Sequence, residues 1–196
     1  MFTGRGCFFL VPKAWFAQLT IKANSMAFKL IGIDPGLSAT GIGVITGQGQ
    51  NVTDFAYGVI RTDQKSPTAV RLDKIYSRLH ELFKDEKPDL IVVEDIFSLD
   101  KYPRSGITLG KVCGVILLAA HHVNTDVIEI PVREAKQVLT GNGNAGKDQL
   151  EKAVRQALGC PDPIRPNHAS DALGLALIGL FRYARPDKRT SRNRIA

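Results

Sequence analysis

Gly32-Ile33-Asp34-Pro35-Gly36 closes an apolar run that begins at Phe28, and this stretch decides the fold. The run predicts a buried strand with Asp34 at its carboxyl end. Because an unpaired buried carboxylate costs several kcal/mol, Asp34 should face a cation or a hydrogen-bond donor. A second apolar run, 90–93, ends in Glu94 in the same way. The carboxyl ends of parallel strands meet at one edge of a sheet, so both acids should reach one crevice.

Two more metal-capable side chains, His168 and Asp171, open an apolar helical pattern near the C-terminus. Their spacing of three residues puts them on one helix face. Taken singly, Asp34 could cap a turn, Asp171 could be an acid favoured at a helix N-terminus, and His168 could be a surface residue. Together with Glu94 they predict a site for Mg²⁺ or Mn²⁺. Two such ions about 4 Å apart would clamp the attacking and leaving oxygens of a phosphoryl displacement.

The hydrophobic periodicity predicts ten elements between residues 29 and 183. Strands are expected over 29–34, 40–46, 52–62, 90–94 and 126–130, and helices over 69–84, 107–124, 132–139, 147–158 and 168–183. Three strands therefore come first, followed by strands that alternate with helices. This order indicates an α/β fold in which an antiparallel hairpin adjoins parallel strands.

The charge distribution separates a neutral domain from two basic ends. The 196 residues carry a net charge of +7, of which residues 1–25 hold +3 and residues 182–196 hold +5. Met26 reads as a second beginning, so residues 1–25 are expected to be a poorly ordered extension outside a domain over 26–184. An upstream start explains that extension better than a transit peptide or a secretory signal does. Residues 185–196 form a basic tail, which favours contact with nucleic acid or serves solubility.

Cysteine usage and hydropathy bound the compartment. The three cysteines, Cys7, Cys113 and Cys160, form no C-x-x-C pair, so neither a zinc site nor a disulfide framework is predicted. A reducing, cytoplasmic location is the simplest expectation. No uninterrupted apolar stretch reaches the ~18 residues that span a bilayer, so no membrane association is predicted.

Four motifs, taken in order, resemble the RuvC Holliday-junction resolvases. They are Gly32-Ile33-Asp34-Pro35-Gly36, Val93-Glu94-Asp95-Ile96-Phe97, Leu109-Gly110-Lys111-Val112-Cys113-Gly114-Val115 and His168-Ala169-Ser170-Asp171-Ala172-Leu173. The resemblance runs from about residue 26 to residue 184. It implies a ribonuclease-H-like fold with a mixed five-stranded sheet flanked by helices. It also implies a homodimer, a branch-migration complex as a partner, and hydrolysis of four-way DNA junctions with two Mg²⁺ or Mn²⁺ ions per active site.

The resemblance also assigns residues. The catalytic, metal-binding acids fall on Asp34, Glu94 and Asp171, and the remaining metal position falls on His168, where members of the family carry Asp or His. Because a histidine adds no negative charge, this site should lean towards Mn²⁺ and lose activity when His168 is protonated. That is a hypothesis about metal preference and pH.

Basic and aromatic residues near these acids are candidates for DNA binding. Lys136 and Lys147 flank the glycine-rich loop 140–146, and the resemblance places both near the active site, where they could hold a phosphate. Each could instead be an ordinary polar helix position. Phe97, in a connection that also holds Arg104, could stack on unpaired bases for about 1–3 kcal/mol, or pack beneath its own loop. Residues 141–147 fit G-x-x-x-x-G-K, but Asp148 follows where Ser or Thr would hold Mg²⁺, so nucleotide binding is not predicted.

The function expected from these features is a structure-selective endonuclease that makes paired nicks in four-way DNA junctions and leaves 5′-phosphate and 3′-hydroxyl ends. Paired nicks need two sites related by a twofold axis, and the long apolar helix over 107–124 could supply the dimer interface. Three alternatives remain open. They are a noncatalytic junction-binding protein, a ribonuclease-H-type nuclease acting on RNA–DNA hybrids, and an actin-like phosphotransferase, for which the chain is too short to hold a duplicated domain.

Overall fold

The described part of the protein forms a five-stranded sheet with helices on both faces. The structure is a computed structural model, which describes residues 27–95 and 103–184, with only the backbone at positions 103 and 104. The described residues form the following elements in chain order: β1 (Phe28–Asp34), β2 (Ala39–Gln48), β3 (Asn51–Arg61), α1 (Thr68–Glu86), β4 (Leu90–Glu94), α2 (Pro103–His122), β5 (Val127–Ile130), α3 (Val132–Thr140), α4 (Lys147–Leu158) and α5 (Asn167–Tyr183).

Each predicted element is present, and most bounds agree to within a few residues. The largest difference is at α2, which the structure begins at residue 103 and not at 107. Its first turn holds Pro103 and Gly106, which add nothing to the apolar period used to place the helix. The extension over 1–25 and the tail over 185–196 lie outside the described residues, so the division of the chain into a domain and two ends stays a prediction.

The sheet has the order β3-β2-β1-β4-β5, which puts β1 at its centre. β1 pairs antiparallel with β2, and β2 pairs antiparallel with β3. β4 pairs parallel with β1, and β5 pairs parallel with β4. The predicted combination of an antiparallel hairpin with later parallel strands is therefore confirmed. Strands β1, β3, β4 and β5 all run the same way, so their carboxyl ends lie at one edge of the sheet.

Two hydrophobic clusters cover the two faces of the sheet, and the side chains of β1 and β4 alternate between them. Leu30 and Val92 pack with residues of α5, α4 and α3. Ile31, Ile33 and Val93 pack with residues of α1 and α2 on the opposite face. This two-residue alternation decides which face the acids at the strand ends point to.

Glycines on β1 and β2 let α5 lie directly on the sheet backbone. A Cβ atom at Gly32 would lie 2.0 Å from the carbonyl oxygen of Ala172, and one at Gly43 would lie 2.6 Å from the amide nitrogen of Leu173. A Cβ atom at Gly41 would lie 2.0 Å from the carbonyl oxygen of His168. Since real contacts are never this short, α5 can occupy its place only because these positions have no side chain.

Helix α2 packs on α1 with one face and leaves the other exposed. Val112, Ile116, Ala119 and Ala120 are fully buried in the cluster that covers this face of the sheet. Among the described residues, the segment Ser105–His122 is long and apolar enough to cross a membrane by length and composition, although 28% of it is buried here. Core helices can pass the same test, and one face of α2 packs in the hydrophobic cluster over the sheet.

Replacing Gly32 with alanine should destabilise the protein by about 2–3 kcal/mol or more, because the added methyl group meets backbone atoms of α5 that cannot move singly. Gly174→Ala is the matched control on α5 itself. Its Cβ would meet Leu139 and Val154 at an ordinary 3.5 Å, so the gain in helix propensity, about 0.8–1 kcal/mol, should be retained. Urea denaturation of both variants tests this, and equal stabilities would contradict the close packing of α5.

Candidate metal centre and DNA groove

Asp34 and Glu94 are neighbours at the shared carboxyl edge of β1 and β4. The parallel register pairs Ile33 with Val93, so the next position on each strand is an acid. Because Ile33 and Val93 face α1 and α2, strand alternation directs Asp34 and Glu94 to the face covered by α5. Asp34 is 8% exposed. The sequence prediction that both acids reach one crevice is therefore what the strand register produces.

Hydrogen bonds from two threonine hydroxyl groups hold the loop after Asp34 in place. Thr40 is fully buried and its Oγ1 donates a hydrogen bond to the carbonyl oxygen of Gly36 at 2.8 Å. Thr62 Oγ1 donates to the carbonyl oxygen of Leu37 at 2.6 Å. These two hydrogen bonds fix the backbone of the turn that follows Asp34. The position of the Asp34 carboxylate is therefore well defined.

Helix α5 adds His168 and Asp171 to the two strand-end acids. Both lie in its first two turns, at the end of the helix that passes over Gly41. His168 Nδ1 lies 2.6 Å from Asp34 Oδ2, a hydrogen bond between residues 134 apart in the chain. Because Nδ1 makes this bond, Nε2 is the ring nitrogen left to meet another group. The bond brings the imidazole of His168 directly against the strand-end acid of β1.

The pKa values of the acids show that their charges are crowded. The pKa of Glu94 is raised from its ordinary 4.5 to about 8, mainly by burial and also by the charge of Asp34 and a hydrogen bond to its carboxyl. The charge of Asp171 acts on Glu94 in the same direction. Burial and the charge of Asp34 also raise the pKa of Asp171. The cluster therefore disfavours the charged forms of Glu94 and Asp171 relative to water, and a bound cation would offset that effect.

Basic side chains act on the same cluster. Lys147, the first residue of α4, lowers the pKa values of both Glu94 and Asp171, and Lys136 on α3 lowers that of Asp171. The hydrogen bond to Asp34 raises the pKa of His168, although burial and Lys147 oppose it. The two lysines predicted to flank the active site are thus close enough to change its ionisation.

The donor set fits a hard divalent cation, because three carboxylates and one imidazole are ligands that Mg²⁺ and Mn²⁺ accept. Within residues 27–95 and 103–184, however, no three acidic, His or Cys side chains lie close enough together to enclose an ion as they stand. Asp34 is also among the causes that raise the pKa of Glu94. A cation at these acids would need Glu94 in its charged form, against that raised pKa, and side chains rotated from their present positions.

The remaining predicted site residues are placed less fully. Arg104 lies in the first turn of α2, at a position where the structure describes the backbone alone. Phe97 falls in the segment 96–102, outside the described residues. The predicted base stacking by Phe97 and DNA contact by Arg104 therefore stay predictions.

A groove of about 660 Å³ opens beside His168, and sequence reasoning missed most of it. Its walls are Arg61, Lys147, Arg165, Pro166, Asn167 and His168. One signal in the sequence was available. β3 runs in the same direction as β1, so its last residue, Arg61, had to end at the same sheet edge as Asp34. Arg165 and Asn167 carried no such signal, because they belong to the irregular segment before α5.

This chain is similar to one known protein family over most of its length. The family model for "Crossover junction endodeoxyribonuclease RuvC" matches residues 30–179. The chain belongs to the RuvC family. The RuvC of Synechococcus sp. (strain WH7803) is 38% identical to it over 155 residues, which span 78% of this chain and 98% of that relative.

Solved RuvC structures agree with this membership. Thermus thermophilus RuvC matches with a TM-score of 0.69 and 30% identity, over 79% of this chain and 94% of that one. The structure of T. thermophilus RuvC in complex with Holliday junction substrate matches with a TM-score of 0.74 and 29% identity, over 80% and 95% of the two chains. The ribonuclease-H-like RuvC fold expected from the sequence is confirmed. Nucleases of the RuvC family are metal-dependent in general.

Crowding of the acids in this RuvC protein predicts a stability that depends on pH. The folded pKa of Glu94, about 8, exceeds its ordinary 4.5, so folding is penalised increasingly as the pH rises from 4.5 to 8. Glu94→Gln removes the ionisable group. We expect this variant, in EDTA, to be about 1–3 kcal/mol more stable than wild type near pH 9 and similar to it near pH 5.

Urea denaturation at both pH values measures the difference. Glu81→Gln removes a surface acid that pairs with Arg78 and should show no such gain. Adding Mn²⁺ should stabilise the wild type more than Glu94→Gln, because a cation that binds the folded state stabilises it. Identical pH profiles for wild type and Glu94→Gln would contradict the crowding.

Proposed function

We propose that this chain is a structure-selective endonuclease that resolves four-way DNA junctions by paired, metal-dependent nicks during recombination and repair. The observation that carries the proposal is the convergence of Asp34, Glu94, Asp171 and His168 at one sheet edge, in a chain of the RuvC family. The likeness to a RuvC structure solved with a Holliday junction substrate supports the choice of DNA substrate.

The four converging residues are proposed to hold Mg²⁺ or Mn²⁺, two ions per site. When bound, such ions supply the Lewis acid for phosphodiester hydrolysis. The chain contributes the carboxylates and their common orientation, since Asp34 and Glu94 project from neighbouring strands of one rigid sheet. His168 contacts Asp34 through Nδ1, so its imidazole lies within reach of the same site.

Lys147 and Lys136 are proposed to neutralise the phosphate at the cut. Their effect on the pKa values of Glu94 and Asp171 supports this, because a charge that acts on those carboxyls also acts on a phosphate held beside them. Cleavage is proposed to leave 5′-phosphate and 3′-hydroxyl ends. Phe97, Arg104 and the basic tail over 185–196 are proposed DNA contacts on the ground of their sequence positions.

A purely structural role for the acids fits the electrostatics poorly. Structural carboxylates are normally paired so that folding favours their charged form. Burial and repulsion between the carboxylates instead raise the pKa values of Glu94 and Asp171, so folding disfavours their charged forms. A protein that only bound junctions would gain stability by losing this cluster, so its presence favours catalysis over noncatalytic binding.

A homodimer is proposed through the outer face of α2. Ile107, Leu117 and Leu118 are 64%, 43% and 48% exposed, and the spacing of this stripe is helical. Gly110 and Gly114 lie within the stripe, and a Cβ atom at either would meet nothing within 4 Å. Such a surface lets the α2 helix of a second copy approach closely and bury the exposed apolar side chains. The twofold axis would then present two active sites to one junction.

A partner complex and a cellular location are also proposed. A branch-migration complex as a partner is supported by the family resemblance alone. A cytoplasmic location is proposed on the ground of the sequence, in which the three cysteines are far apart and form no C-x-x-C pair.

Cleavage of a labelled four-way junction tests the activity. With Mg²⁺ or Mn²⁺ we expect paired nicks on opposing strands, no cutting of a matched linear duplex, and none in EDTA. Asp34→Asn keeps the side-chain shape but removes a ligand charge, so cleavage should fall about 100-fold or more. Asp54→Asn removes the same charge from an exposed position on β3 and should cut normally.

Binding without cutting in either metal would favour the noncatalytic alternative. Cutting that ignores branching would reject junction selectivity and direct attention to RNA–DNA hybrids.

The oligomeric state tests the α2 interface. Wild type should sediment as a dimer, and Leu118→Asp should raise the dimer dissociation constant about 100-fold or more, because it buries an unpaired charge at the interface. Val138→Asp is the matched control, since Val138 is a similarly exposed apolar residue on α3. A monomeric wild type, or a Leu118→Asp variant that dimerises normally, would reject this interface.

A further inference from the structure

The groove beside His168 carries positive charge that the proposed metal site does not use. Arg61, at the end of β3, contributes one part of its wall, and Arg165 and Asn167 contribute another. Lys147, whose charge also acts on Glu94 and Asp171, lines the same groove. His168 belongs both to the groove and to the acid cluster. A ligand in the groove would therefore run directly into the proposed cutting site.

The two arginines have no acidic partner among the described residues. Arg165 donates a hydrogen bond from Nη1 to Oδ1 of Asn167 at 2.8 Å, and this amide leaves the guanidinium charge uncompensated. Within the ranges 27–95 and 103–184 no carboxylate forms an ion pair with Arg61. The domain between the two basic ends is nearly neutral, and its surface arginines could pair with acids. Two arginines without acidic partners in one groove therefore favour an anionic ligand.

The Arg165 wall is anchored from within the core. Ile164 is fully buried, and its amide donates a hydrogen bond at 2.8 Å to Oε1 of Glu151, a carboxylate that is itself buried on α4. Arg165 follows directly, and its bond to Asn167 ties it to the start of α5. Its side chain thus projects from a fixed backbone at the beginning of the helix that carries His168.

The Arg61 wall is held to the loop after Asp34. Thr62, the next residue, bonds through its amide to the carbonyl oxygen of Ser38 and through Oγ1 to that of Leu37. Thr62 Oγ1 also accepts a hydrogen bond from Arg71 Nε at 2.9 Å. Both walls are therefore fixed relative to Asp34 and His168, which is the condition for holding a ligand in register with the metal site.

We propose that Arg61 and Arg165 bind backbone phosphates of the cleaved DNA strand next to the scissile phosphodiester. This inference rests on the proposed nuclease function and specifies how its substrate is positioned. A planar guanidinium can bind a phosphate through two parallel hydrogen bonds, and the open groove admits a continuous strand. Phosphate contacts set register and carry no base information, so the pair should govern affinity and cut position and not sequence preference.

The affinity for a four-way junction, measured as a function of salt concentration, tests whether the two arginines bind phosphates. Arg61→Gln and Arg165→Gln should each weaken binding about 3–10-fold and lower the slope of log K against log salt by about 1, since each removes one phosphate contact. The double variant should lose both contacts and spread the cut positions. Mn²⁺ binding without DNA should be unchanged, because neither arginine touches the acids. Arg78→Gln, which removes an arginine on α1 across the sheet, is the matched control.

Arg165→Lys separates charge from shape. It should restore the salt slope of Arg165→Gln but not the full affinity, because an ammonium group lacks the planar fork. Wild-type affinity and salt slope in both Gln variants would overturn the proposal. If wild type fails to cut junctions, the proposed function fails separately, and the same salt series on whichever nucleic acid it does bind still decides whether the two arginines hold its backbone.

Discussion

Close contact between the backbone of α5 and the backbones of β1 and β2 is the constraint on which the rest of the structure depends. Gly32, Gly41 and Gly43 remove the side chains that would otherwise separate helix and sheet. The helix can then bury a nearly continuous apolar face against β1 and β2, from Ala169 to Leu180. The close contact between α5 and the sheet also determines how far His168 and Asp171 lie from Asp34. Core packing and site geometry are thus one arrangement.

The site gathers like charges at a cost that the surrounding fold must offset. Asp34, Glu94 and Asp171 are held together by a central strand pair and a buried helix, which cannot separate to relieve the repulsion. The raised pKa values of Glu94 and Asp171 record that cost. Lys147 and Lys136 offset part of it from the neighbouring helices. A cluster of this kind is stabilised by whatever cation or proton it holds, so stability and cofactor binding are linked here.

Much of this arrangement could be predicted from the sequence because it follows from local rules. The apolar runs before Asp34 and Glu94 are long enough to identify strands, and parallel strands bring their carboxyl ends together. The spacing of His168 and Asp171 needs only the helical period. The start of α2 was placed too late because its first turn lacks apolar residues, although a proline such as Pro103 is favoured in the first turn of a helix.

What could not be predicted depends on contacts between distant segments. No local pattern says that Gly41 lies under His168, or that His168 then bonds to Asp34. The anchoring of Ile164 by Glu151 is equally invisible, since an acid on an amphipathic helix is expected to face solvent. Arg61 could have been found by following strand directions around the sheet. Arg165 could not, because its segment has no regular period.

The bond between Asp34 and His168 joins the first strand of the domain to its last helix, across 134 residues. Domains emerge from the ribosome with their N-terminal part first. A growing chain that has reached β5 already holds Asp34 and Glu94, yet it has neither α5 nor the lysines of α3 and α4. The four residues therefore cannot come together until α5 has been synthesised, so the arrangement of the cluster depends on one of the later elements of the fold.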